Sequence, residues 1–180
     1  VLEYEPDSSA IQFSAFSEDG VAIESGSFGI GGALESDELS FSVSVDEYPD
    51  LGDGWDLVVD MPDGEPVYVK NGTKFSFDKT PAIKYVRYRE DGDTWYELVG
   101  FDDESKTNYS GLKLTYTQKT GAFKGSFKVY ATNEAIVGNG KPKLKKYTAK
   151  VTGCFVDGVG YGSAVLKVGK RQYTYPVVID

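Results

Sequence analysis

In 180 residues the chain carries 28 acidic and 19 basic side chains, a single cysteine and no histidine, for a net charge of −9. Without histidine, Ser–His–Asp and Cys–His nucleophile systems and every His-containing zinc site are excluded; one cysteine excludes an intramolecular disulfide. Carboxylate chemistry stays open, and no apolar run approaches the roughly 18–20 residues that span a bilayer.

The chain opens on Val1 with no charged-then-apolar leader, so an excised or mature fragment of an exported protein is expected. Ile11 to Phe16 alternates apolar and polar residues, Asp19-Gly20 follows as a turn, and Val21 to Ile23 resumes a strand. Leu39 to Val45 alternates strictly. Trp55 to Val59, Pro66 to Val69, Lys74 to Phe77, Ile83 to Tyr88 and Thr94 to Phe101 come next. The last third supplies Leu112 to Thr117, Phe123 to Ala131, Tyr147 to Val156, Tyr161 to Val168 and Tyr173 to Ile179. Asp63-Gly64, Asn71-Gly72, Asp91-Gly92, Thr120-Gly121 and Asp157-Gly158 separate these runs. Asx-Gly pairs suit the positive φ of tight hairpins, so neighbouring strands are expected to pair antiparallel. About eleven to thirteen strands and no helix predict an antiparallel β-sandwich, with a meander β-barrel as the alternative.

Alternation also assigns faces. Phe123, Gly125, Phe127 and Val129 share one side, and Lys124, Ser126, Lys128 and Tyr130 the other. With Leu112, Leu114 and Tyr116 opposing Lys113, Thr115 and Thr117, the two runs read as a hairpin with an apolar inner and a basic outer face. Gly153, Gly158, Gly160 and Gly162 around Phe155 and Tyr161 suggest a bulge or bend. Cys154 reads as a small half-buried filler.

Charge divides sharply. Residues 1–66 hold 17 acids and no base, whereas 67–180 hold 11 acids and all 19 bases. One all-β module over 1–180 is expected, with an acidic lobe 1–66 packed on a basic lobe 67–180 as one reading of that division.

Three surfaces are candidates for function. Tyr85, Tyr88, Trp95 and Tyr96 lie on two runs joined by Glu90-Asp91-Gly92-Asp93. Exposed rings stack on the C–H faces of sugars, and Arg87, Arg89, Asp93 and Glu97 could hold the hydroxyls. Trp95 and Glu97 fall on one face and Tyr96 and Leu98 on the other, so one of the two rings is expected in the core. Asp50, Asp53 and Asp56, in the acidic loop from Asp46 to Asp56, could ligate calcium, although the spacing is not that of an EF-hand and a metal-free loop is the plainer reading. Asp102-Asp103-Glu104 could join them. The basic outer face, with Lys113, Lys124, Lys128, Lys141, Lys143, Lys145, Lys146 and Lys150, could meet an anionic glycan, while overall acidity argues against nucleic acid. Asn71-Gly72-Thr73 and Asn108-Tyr109-Ser110 match the glycosylation pattern, the first reading better as a turn.

Ser110 to Tyr116, Lys119 to Tyr130, Lys145 to Ala149, Gly158 to Gly162 and Pro176 to Ile179 together carry a resemblance. They resemble a β-rich C-terminal domain that recurs in exported proteins of Verrucomicrobia, Lentisphaerae and related bacteria, over roughly residues 73–180. The resemblance implies a C-terminal module of an extracellular, polysaccharide-handling bacterium's protein; no activity and no catalytic residue come with it. The hairpin with Gly125 between Phe123 and Phe127 is also similar to hairpins of avidin-like small-ligand barrels, whose ligand-contacting residues are not matched.

These readings lead to a non-catalytic carbohydrate-binding module of an exported bacterial protein, linked covalently to a catalytic domain in its parent. Polysaccharide is the expected partner, with no nucleic acid, no membrane span and no required cofactor. The alternatives are a structural or attachment module without a small ligand, and a carboxylate-only glycosidase or lyase. The last needs two acids about 5–9.5 Å apart in one cleft.

Overall fold

The computed structural model describes residues 2–4, 10–20, 22–70, 74–76, 83–100, 108–134 and 142–180. The Asn71-Gly72-Thr73 turn, the Asp102-Asp103-Glu104 cluster and Lys141 lie outside these residues. Among the described residues fourteen strands form and no helix. They are β1 (Leu2–Tyr4), β2 (Ala10–Phe16), β3 (Ala22–Gly29), β4 (Glu38–Val43), β5 (Asp56–Val59), β6 (Asp63–Lys70) and β7 (Lys74–Ser76). The rest are β8 (Lys84–Glu90), β9 (Asp93–Val99), β10 (Lys113–Thr117), β11 (Ala122–Asn133), β12 (Lys143–Val156), β13 (Val159–Val168) and β14 (Arg171–Ile179).

Eight of them close on themselves. Going round, β4 pairs with β6, β6 with β7, β7 with β10, and β10 through β14 follow as a meander that returns to β4, every pair antiparallel. The all-β expectation holds, and the arrangement formed is the meander barrel. What the sandwich reading shares with it is two walls meeting across a core: Phe41 of β4 and Phe127 of β11 touch edge to face at 6.2 Å. Closure leaves none of the eight with an unpaired side along its whole length.

The other six strands lie outside the wall. β5 takes the edge of β11 at Tyr130 to Thr132, beyond the point where the five-residue β10 stops pairing. Among the described residues β8 and β9 form a hairpin paired only with each other, and β1–β2–β3 form a separate sheet. That sheet is tied to the barrel where the Gly29 N–H donates to Asp157 Oδ1 at 2.7 Å and Ile30 bridges Val156. β4 and β6 come from the acidic stretch yet are wall strands between β14 and β7, so the 66/67 charge boundary falls inside β6.

The interior is full. Phe41, Val67, Leu112, Phe127, Val129, Val151, Phe155, Leu166, Val177 and Ile179 are all fully buried in one cluster. The assigned faces of β10 and β11 are observed, except that Tyr130, an outward position, is buried. Its neighbour two residues on, Thr132, is also outward and buried, because the β8–β9 hairpin lies there: the Tyr85 hydroxyl shares a hydrogen bond with the Thr132 hydroxyl.

Two glycine readings change. Asp157-Gly158 makes the expected turn with φ of 48° and 83°, but Asp63-Gly64 does not turn the chain. Gly64, at φ 66°, sits inside β6 as a bulge opposite the Phe41/Ser42 register shift. Between Ala149–Val156 and Val159–Leu166 the β12–β13 ladder runs without a register shift, so no bulge exists at Gly153 or Gly162. Those two glycines face each other across the ladder, and a Cβ at Gly153 would stand 2.2 Å from Phe123 Cζ. They are small to admit a ring.

Gly125 is constrained the same way by backbone. A Cβ there would lie 2.0 Å from the Lys113 carbonyl oxygen, which only movement of β10 could relieve. Gly125→Ala is therefore expected to cost about 2 kcal/mol or more in urea unfolding. The outward Ser126→Ala should stay within about 0.5 kcal/mol. Equal midpoints for the two variants would mean that β10 does not pack as closely as this.

Candidate functional site

Core side chains pack the middle of the eight-stranded barrel, and among the described residues a cavity of about 600 Å³ lies at one end, lined by Leu34, Leu39, Phe155 and Val159 with Glu35, Asp157 and Asp180. Binding must then use the outside of the wall, its ends or the strands beyond it. The β8–β9 hairpin turns through Asp91 and Gly92, whose φ of 50° and 92° suit an Asx-Gly turn. Its register sets Tyr88 opposite Trp95, Val86 opposite Glu97, Arg87 opposite Tyr96 and Tyr85 opposite Leu98.

Alternation sorts these residues into two faces. Tyr85, Arg87, Tyr96 and Leu98 share the face turned to the barrel, where the Tyr85 hydroxyl also donates to Glu134 Oε1 at 3.3 Å. Burial raises the Tyr85 phenol above its ordinary value, against the Thr132 hydrogen bond and with the help of the Glu134 charge. Tyr88, Trp95 and Glu97 share the opposite face. The Tyr88 and Trp95 rings stack at 5.7 Å with planes 18° apart, and each residue is 37% exposed. Trp95 Nε1 donates to Glu97 Oε1 at 2.9 Å, which fixes the indole beside a carboxylate. The four aromatics therefore divide between two faces of the hairpin and do not make one platform. The expected core position for Trp95 or Tyr96 is not seen: Tyr96 is half-buried and neither joins the core cluster, since the hairpin lies outside the wall. Arg87, Arg89 and Asp93 are exposed near the turn.

The acidic loop is held by protein groups. Asp50 Oδ2 pairs with Arg171 Nη1 at 2.8 Å, and its Oδ1 accepts from the Gly52 N–H at 3.0 Å. The Asp50 N–H donates to the Tyr173 hydroxyl at 3.1 Å, and the Tyr175 hydroxyl donates to the Glu47 carbonyl at 3.0 Å. Lys145 Nζ sits 3.7 Å over the Trp55 ring. Asp53 and Asp56 are exposed, and among the described residues no three acids or thiols gather into a metal-binding group.

Sequence reasoning missed a buried polar cluster at the same barrel end. Asn108, 2% exposed, accepts from the Leu112 N–H at 2.7 Å and donates through Nδ2 to the Leu112 carbonyl at 3.1 Å. An amide engaged on both sides within the fold cannot serve as the glycosylation acceptor that Asn108-Tyr109-Ser110 suggests. The Ser110 hydroxyl lies within hydrogen-bonding distance of both Glu65 oxygens, at 3.0 and 3.1 Å. Burial pushes the Glu65 carboxyl above the ordinary range, and the Ser110 hydrogen bonds oppose that only in part. Glu65, Asp60, Asp63 and Tyr109 line a cleft of about 420 Å³. No sequence signal marked Glu65, because its partner lies 45 residues away.

Comparison with protein families, with curated proteins and with solved structures yields no match.

The Glu65 geometry has a sign. Below the ordinary value of 4.5 the carboxyl is protonated in folded and unfolded chains alike; as pH rises through the raised folded value, the buried group must ionise and stability is lost. Glu65→Gln should therefore unfold at higher urea than wild type at pH 7, with the gap closing below pH 4.5. A gap that stays constant with pH would show that Glu65 ionises as easily in the fold as out of it.

Proposed function

We propose that this chain is a non-catalytic polysaccharide-binding module of an exported bacterial protein, and that sugar rings stack on the Tyr88–Trp95 face of the β8–β9 hairpin. The observation that carries the reading is that ring pair: two aromatic side chains held parallel, exposed, and flanked by a carboxylate already oriented by the indole N–H. Stacking supplies affinity and Glu97 supplies an acceptor for sugar hydroxyls, the usual division between apolar contact and a few polar groups. The core cluster supports the reading by committing the inward side chains of the wall to packing. A catalytic domain in the same parent protein would be kept near its substrate by such a module.

A second reading has a site of its own. A carboxyl kept above its ordinary range beside Asp60 and Asp63 has the elements of a carboxylate-only hydrolase, with Glu65 as the acid. Release of reducing ends from a polysaccharide, abolished by Glu65→Gln, would favour it over simple binding. The attachment-module reading would gain from a protein partner that pairs along the hairpin edge.

Affinity electrophoresis in gels cast with neutral plant polysaccharides tests the main proposal. Wild type should be retarded, and Trp95→Ala or Tyr88→Ala should weaken binding about tenfold or more, as loss of an aromatic anchor does. In a Trp55→Phe background, where Trp95 is the remaining tryptophan, added polysaccharide should shift its emission to the blue. No retardation by any polymer, or retardation indifferent to both substitutions, would overturn it.

A further inference from the structure

β10 to β14 form five consecutive strands of the barrel wall, and not one Asp or Glu occurs in them; they carry eight lysines and Arg171. In a chain with 28 acids, that is a surface from which acids are withheld. On an ordinary solvated sheet, opposite charges across strands are each worth about 0.2–1 kcal/mol, and like charges cost stability. Here four of the eight lysines face hydroxyls instead. Lys113 and Lys150 flank Ser126, Lys124 lies between Thr115 and Thr152, and Lys128 faces Thr148. With strands about 4.8 Å apart, Lys113 and Lys150 rise from backbones roughly 10 Å apart. Between them runs a shallow groove of about 420 Å³ lined by Lys113, Thr115, Lys124, Ser126, Lys150 and Thr152.

We infer that this wall is a second glycan surface, selective for polysaccharides bearing carboxylate or sulfate groups. Three ammonium groups around one groove supply the charge, and the Ser and Thr hydroxyls between them supply hydrogen bonds to ring hydroxyls. The outward positions of β10 and of the facing part of β11, Lys113, Thr115, Thr117, Ala122, Lys124 and Ser126, include no aromatic ring. A single-stranded nucleic acid would want stacking platforms at such a groove. The groove lies on β10–β11–β12, whereas the Tyr88–Trp95 face is on the separate hairpin, so a chain of sugars could engage either alone. The polymer class assigned here rests on the glycan-binding reading above; the site itself rests on the wall's charge.

The test is affinity electrophoresis in gels containing dextran sulfate, polygalacturonate or neutral polysaccharide, with a single-stranded oligonucleotide in a parallel mobility assay. Wild type should be retarded by the two anionic polymers despite its own net charge of −9, and raised salt should weaken the effect. The combined Lys113→Gln, Lys124→Gln and Lys150→Gln variant should lose about tenfold in apparent affinity for them with an unchanged thermal midpoint. Its retardation by neutral polymer should match wild type, whereas Trp95→Ala should show the reverse pattern. Anionic retardation unaffected by the triple substitution, or oligonucleotide binding as tight as that of the anionic polymers, would overturn the inference. Retardation by neutral polymer alone, lost in Trp95→Ala, would sink the wall and leave the hairpin standing; no retardation by any polymer would sink both.

Discussion

An eight-stranded barrel can hold the Phe155 ring only if the surrounding wall makes room, and that requirement shapes the rest of the molecule. Phe155 meets Tyr116 at 5.3 Å, Phe123 at 5.4 Å and Phe75 at 6.2 Å, so one side chain joins β7, β10, β11 and β12. Each such pair adds about 0.5–1.5 kcal/mol beyond area burial. Gly160 lies under the Phe155 ring, where a Cβ would come within 3.0 Å of Cε1, and the Gly153–Gly162 pair leaves space for Phe123. Among the described residues β7 and β10 share one register pair, Thr115 with Lys74. The ring cluster therefore contributes to closing the barrel where the ladder between those strands is shortest.

A wall closed around a full interior sends function outward. The inward positions of the core cluster are committed to packing, so among the described residues chemistry is available on the hairpin, in the Glu65 cleft, on the outer lysine rows and in the end cavity beside Leu34 and Asp157. Charge follows the same logic. The acidic stretch is threaded through the barrel as β4 and β6, and its loop is fastened to the basic stretch by Asp50 with Arg171 and by Trp55 under Lys145. Lys113, Lys124, Lys128 and Lys150 of β10–β12 stand opposite hydroxyls and not carboxylates.

Much of this was legible in the residues themselves. The faces of β10 and β11 follow from strict alternation, and Asp91-Gly92 and Asp157-Gly158 turn because both positions accept positive φ. Asp63-Gly64 has the same local preference but serves as a bulge, since the partner strand β4, and not the dipeptide, decides which form is used. Closure was not legible either: β4 meets β14 across most of the chain, pairing Phe41 with Ile179, and nothing in either run names the other. The aromatic hairpin was recognised as a surface, yet its division into a wall-facing Tyr85 side and an exposed Tyr88–Trp95 side depends on Thr132 and Glu134. Glu65 carries no mark in the sequence, and Asn108 and Ser110 read there only as a glycosylation pattern, because an ordinary acid and two turn residues acquire their structural meaning on burial.

The central claim is that binding occurs on the outside of a barrel whose interior stays closed. Its most direct test is an NMR titration of the labelled protein with oligosaccharides from any polymer that retards it. The account predicts shifts of the Trp95 indole and Tyr88 ring signals, or of the Lys113, Lys124 and Lys150 side chains, while the inward methyl groups of Val67, Val129 and Leu166 do not move. Shifts concentrated on those inward methyls would mean that the barrel opens to admit a ligand, and would contradict it.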